Sequence, residues 1–170
     1  MGDWLRSNDP YRHLVTTSMT GGSDRPEIWN LRRMDFADYH SYNLPHPVTG
    51  LSDIVNSFYQ RYQKPVLIDE YGVDWHGWSW ASDPYLRGLR QGLWTGALGG
   101  SVGTSMSWYW ENIHAENVYP LYHALRDFTS QTSWAQGRWS NPGFQTPGPA
   151  PATVWGTCYP VASPSPQRCG

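Results

Sequence analysis

The apolar pattern of this 170-residue chain predicts an α/β protein of four parallel strands joined by crossover helices. Three observations carry that expectation. The run 64–72 is short and apolar, opens on a proline, and stops abruptly on Asp69 and Glu70. Segments rich in β-branched and aromatic residues alternate with segments whose apolar residues recur at helical spacing. Charged residues make up only 15% of the chain, so its distinctive surface chemistry is aromatic, with eleven Trp and eleven Tyr.

Taken in order, residues 3–8 read as the end of a helix, and Asp9-Pro10 as a turn. Residues 13–19 form a β-branched run, the first predicted strand. Residues 28–33 are short and ambiguous. Residues 36–42 form a second strand, rich in aromatics and polar at its end. Ser52 caps a helix to about Gln63, with Ile54, Val55, Phe58, Tyr59 and Tyr62 on one face. The strand 64–72 follows at once. Pro65 opens it where a missing N–H costs least, and Gly72 lets the chain turn away. Strand alternation predicts that Asp69 and Glu70 point to opposite faces.

The loop after this strand is dense in tryptophan, with Trp75, Trp78 and Trp80 among Gly and Ser. Ser82-Asp83-Pro84 starts a helix with Leu86, Leu89, Leu93, Trp94 and Ala97 on its buried stripe, stopped at Gly99-Gly100. Residues 102–110 read as the fourth strand. Leu121, Leu125 and Phe128 mark a last helix. Seven of the final thirty residues are proline. The chain therefore divides into a folded unit, 1–137, and a proline-rich tail, 138–170, expected to lack helix and sheet.

Composition excludes several functions. A formal net charge of −2 argues against nucleic acid, which calls for a clustered basic excess. No run of about eighteen apolar residues occurs, so no membrane helix is expected. The first residues carry no basic and apolar leader pattern, so no signal peptide is expected and the compartment stays open. Cys158 and Cys169 both lie in the tail, where they could close a small loop. The six histidines show no metal-ligand spacing, and no cofactor is implied. Flat aromatic faces with little positive charge fit sugars better than bases.

A glutamate at the mouth of a buried parallel strand is a position for catalytic groups in barrel enzymes. The plain alternative for Glu70 is a solvated acid at a strand end. The alternatives for the tryptophan loop are sugar stacking and ordinary packing. Asp35, Asp38 and Asp69 read as structural acids.

Four segments together resemble the second half of a clan A, family 5-like glycoside hydrolase (β/α)8 barrel. Residues 9–18 resemble the approach to strand five. Asp38-Tyr39-His40-Ser41-Tyr42 resembles the His-x-Tyr of strand six. Residues 64–72 resemble the nucleophile segment of strand seven, and Ser107-Trp108-Tyr109-Trp110 the tryptophan of strand eight. The resemblance covers about residues 3–130 and agrees in order and spacing. It implies a half TIM barrel of four parallel βα units. It also implies a glycosidase that cleaves β-linked oligo- or polysaccharides, of cellulase, mannanase or β-glycosidase type. Glu70 is then the nucleophile and Tyr42 the hydrogen-bond donor that orients it. His40 lines the pocket, and Trp108 or Trp110 floors the sugar. Trp75, Trp78 and Trp80 stack neighbouring units. Apart from the resemblance, His76 and His114 lie in loops at the mouth, and each reads either as a sugar-hydroxyl contact or as an ordinary hydrogen-bonded histidine.

The family's general acid, an Asn-Glu pair ending strand four, has no counterpart among these segments. A full barrel takes about 250 residues, and a four-stranded piece leaves two sheet edges open. A homodimer completing the barrel answers both points. A twofold rotation brings strand eight of one copy to the strand-four position of the other, so that Glu111 faces Glu70 across copies. Two further readings stand beside this one: a non-catalytic carbohydrate-binding half-barrel, and an inactive fragment that aggregates through its edges.

Overall fold

The computed structural model describes residues 1–21, 24–76 and 81–134, together with the backbone of 158–159 and 168–169. It is a mixed α/β fold centred on two parallel strands, β1 (Ala37–Tyr42) and β2 (Val66–Gly72). Among the described residues six helices accompany them: α1 (Gly2–Asn8), α2 (Pro26–Trp29), α3 (Pro47–Tyr62), α4 (Arg87–Leu98), α5 (Trp110–Ala115) and α6 (Tyr119–Thr129). A one-turn 3₁₀ segment, Pro84–Leu86, leads into α4.

The connection β1–α3–β2 is a crossover, as parallel pairing requires. Pro47 starts α3, its fixed φ suiting the first helical turn. The helix therefore begins a turn earlier than Ser52, which is fully buried in its interior instead of capping it. Val55, Phe58 and Tyr62 are buried on the core face, while Tyr59, expected there, is exposed. Gln63 ends the helix in the left-handed region (φ 53°), its N–H bonded to the Tyr59 carbonyl at 2.8 Å. Helix α4, after residue 84, starts differently from expectation too. The buried Asp83 carboxylate accepts the amides of Gly88 (2.6 Å) and Leu89 (2.9 Å), and so caps α4 across the 3₁₀ turn.

Helices α3 and α4 cover one face of the sheet. Trp29, Leu51, Val66, Ile68 and Leu93 are its most buried apolar side chains. Tyr71 reaches into the same layer and donates its hydroxyl to the Leu89 carbonyl at 2.7 Å. Burial pushes its phenol pKa far up, so it stays a donor. Gly88, Gly92 and Gly96 line α4 at four-residue intervals. A methyl group added at each would meet Val73, the Tyr71 ring and Ser105 respectively, far inside van der Waals contact. The glycines therefore set how closely α4 lies on the sheet.

Two expected strands take a different form. Residues 13–19 carry no strand pairing. Val15 gives its carbonyl to Asp35 N (2.7 Å), but its own N–H goes to the Asp35 carboxylate (2.7 Å). The Phe36 carbonyl is taken by the Thr16 hydroxyl (2.8 Å). Side chains thus occupy positions a ladder would need, and the segment lies beside β1 without zipping to it. Residues 101–108 run along the other side of β2. Val102 N bonds the Val66 carbonyl (2.9 Å), Tyr71 N bonds the Met106 carbonyl (2.8 Å), and Tyr71 and Ser107 form one parallel bridge. The segment then turns into α5, so Trp110 and Glu111 lie on a helix and not at a strand end.

The tail also departs from expectation. Cys158–Tyr159 (β3) and Arg168–Cys169 (β4) pair antiparallel, with Cys158 opposite Cys169 in the register. The remaining tail residues lie outside the described ones. No helix among the described residues is long and apolar enough to cross a membrane.

Candidate active site

The site is built on the sheet face that α3 and α4 leave uncovered. Tyr39 packs on Phe58 of α3, so its strand neighbours Asp38 and His40 face the other way. Tyr42 follows on the same side. On β2, Tyr71 points into the helix layer, so Glu70 faces His40 and Tyr42. The Tyr42 hydroxyl donates to Glu70 Oε1. The His40 Nδ1 atom lies 3.4 Å from Glu70 Oε2. Burial first, and then the Glu70 carboxylate, push the Tyr42 phenol well up, so it remains protonated and donating.

Asp69 is not turned away from this face. The β1–β2 register runs from Asp38↔Leu67 to His40↔Glu70, so two steps along β1 match three along β2. This bulge breaks the alternation that predicted opposite faces for Asp69 and Glu70. As a result His40 stands between two carboxylates, with Nε2 3.1 Å from Asp69 Oδ1. Asp38, 4% exposed, lies against the same group. Its carboxyl is pushed up to about 8, by burial first and then by Asp69, with the Tyr39 and Asp69 amides partly offsetting this. Asp38 and Asp69, read from sequence as structural acids, thus join His40 behind Glu70. The signal that could have found them is Asp-x-His on one strand beside Asp-Glu on its neighbour, but only the bulge makes it meaningful.

A comparison of the chain with known families, characterised proteins and solved structures gives no match.

The remaining predicted residues are spread around this centre. Since Ser107 pairs with Tyr71, its neighbours Met106 and Trp108 face the Glu70 side, and both are exposed. Trp75 is exposed and lies over His76, ring centroids 3.7 Å apart. Its backbone N–H bonds Asn43 Oδ1 (3.2 Å), which holds the loop after β2 over the end of β1. Tyr109 donates its hydroxyl to the Asp74 carbonyl and ties the same loop to the segment 101–108. Trp78 and Trp80 lie outside the described residues. Trp110, Glu111 and His114 line a cavity of about 540 Å³ on the α5 side, with Met106 and Tyr122. There His114 Nδ1 meets the Tyr119 hydroxyl at 2.9 Å. Tyr42 and His40 both meet the Glu70 carboxylate, while Glu111 lines the cavity on the α5 side.

Proposed function

We propose that this chain is one half of a (β/α)8-barrel glycoside hydrolase acting on β-linked glycans, with Glu70 as its nucleophile. The hydrogen bond from Tyr42 to Glu70 is the observation that carries the reading. A carboxylate that attacks an anomeric carbon must be ionised, aimed and kept from swinging away. A partly buried phenol that keeps its proton aims the carboxylate and keeps it from swinging away. Trp108 is exposed, and its flat apolar ring suits the floor of a sugar site. In the proposed reaction Glu70 displaces the leaving oxygen at the anomeric carbon while an acid protonates it. Water then cleaves the glycosyl ester. The chemistry calls for no cofactor.

The segments 13–19 and 101–108 flank β1 and β2 where strands five and eight of a barrel would stand. A second copy of the chain completes the ring, and Glu111 of the partner subunit supplies the proton. A separation of about 5 Å between the two carboxylates goes with retention, and about 6.5–9.5 Å with inversion.

The test is Glu70→Gln assayed on aryl β-glycosides and for sugar binding. The reading predicts hydrolysis lost by about 10³-fold or more with binding kept. Hydrolysis by the variant at the wild-type rate removes Glu70 from the mechanism. The exposed Trp75 and Trp108 favour one second reading, a sugar-binding surface without catalysis. Binding by the wild-type chain with no hydrolysis would select it.

A further inference from the structure

We infer that Asp38, His40 and Asp69 form a binding site for one first-row divalent cation of the Mn²⁺ or Zn²⁺ type. The inference does not depend on the hydrolase reading. Three buried polar atoms carry it: Asp38 Oδ1, His40 Nε2 and Asp69 Oδ1. Each lacks a hydrogen bond, and one comes from each of the three side chains. Buried polar groups are rarely left unsatisfied, and orphans on three neighbouring side chains point to a common cause. One candidate ligand atom from each of these side chains falls within 4.8 Å of the other two.

The chemistry of the three atoms names the occupant. Two are carboxylate oxygens, and the third is an imidazole nitrogen that accepts when its ring is neutral. A water has two protons for three acceptors. A dication can bond all three once the carboxyls are ionised. The 3.1 Å between His40 Nε2 and Asp69 Oδ1 is the spacing of two ligands each about 2.1 Å from one cation, at near a right angle. One imidazole with two carboxylates suits Mn²⁺ and Zn²⁺ better than a soft, thiolate-seeking ion.

The far side of His40 fits the same assignment. A metal-bound histidine donates its other ring N–H to a carboxylate, which fixes its tautomer. Here that carboxylate is Glu70, 3.4 Å from Nδ1. The cation would hold the imidazole upright with its proton toward Glu70. The sequence spacing hides the set, because its third ligand comes from the neighbouring strand through the bulge.

The experiment titrates Mn²⁺ alone into the full chain and follows loss of the free-ion electron spin resonance signal, with thermal unfolding in parallel. Mn²⁺ is chosen because thiols and scattered surface histidines hold it weakly. The expected result is one bound ion per chain and a raised Tm. Asp38→Asn and Asp69→Asn should each weaken binding at least tenfold, with unchanged circular dichroism. Asp69 is partly exposed, so its variant remains informative if the Asp38 variant folds poorly. Absence of saturable binding by the wild-type chain overturns the inference. So does binding that both variants keep at wild-type affinity, which would place the ion elsewhere.

Discussion

Tyr42 and Glu70 meet because β1 and β2 run parallel in a register that ends Tyr42 beside Gly72. Their hydrogen bond joins a neutral donor to a charged acceptor, worth about 1.5–3 kcal/mol. Under the proposed function, Tyr42→Phe should therefore lower kcat/KM on aryl β-glycosides by about 10- to 100-fold, with folding intact by circular dichroism. A rate equal to wild type would mean that the hydroxyl is not used. The resemblance expects a hydrogen bond from Tyr42 to Glu70, and the two side chains meet on neighbouring parallel strands. The gathering of Asp38 and Asp69 around His40 is not expected from it. It depends on one extra residue in a ladder, and no residue type announces a bulge there. Asp35 plays a different part. The Val15 N–H foremost, and then Arg6, hold its carboxyl below its ordinary 3.8, against the opposing effect of burial. A lowered carboxyl stabilises the fold above its unfolded pKa and loses that contribution as pH falls through the folded value. Asp35→Asn should cost about 1 kcal/mol at neutral pH in chemical denaturation, and the difference from wild type should shrink below pH 3.8. A difference independent of pH would assign the effect to shape and not to charge.

Among the elements, α4 shows best how the sheet is seated. Its apolar stripe was readable from spacing, and Leu89 and Leu93 are buried as that spacing requires. Its glycines at 88, 92 and 96 carry no such signal, since a single glycine in a helix reads only as a weak former. Their meaning comes from the other side of the contact, where Tyr71 and Ser105 press against the helix backbone. Gly92→Ala should destabilise the fold by about 2–3 kcal/mol despite alanine's better helix propensity, because the methyl would displace the Tyr71 ring. A gain in Tm would show that helix and sheet are less closely packed. The two outer segments mark where apolar patterning misleads. Residues 13–19 and 102–110 have the composition of strands, yet hydroxyl and carboxylate side chains take ladder positions in one, and a helix begins inside the other. Composition reports what a segment could pair with, while the competing local bonds decide what it does.

For the molecule as a whole, the flanks of the sheet carry exposed apolar side chains. Leu14 beside β1 is 74% exposed, and Met106 beside β2 is 65% exposed. Apolar side chains at both borders of a sheet are what a completing half would cover. The barrel reading predicts a discrete species of twice 19.4 kDa in sedimentation equilibrium, and Met106→Glu should return it to the single-chain mass. A polydisperse smear would favour an incomplete fragment. The central claim, however, is that Glu70 attacks sugar, and it can be separated from the source of the proton. A 2,4-dinitrophenyl leaving group departs without protonation, so only the nucleophile is needed for the first step. The decisive measurement is rapid mixing of the chain with 2,4-dinitrophenyl 2-deoxy-2-fluoro-β-glycosides of glucose and mannose, followed by mass analysis of its peptides. The account predicts a burst of dinitrophenol and one sugar unit esterified to the peptide that contains Glu70. No burst with either sugar, or a sugar attached to any other residue, would contradict it.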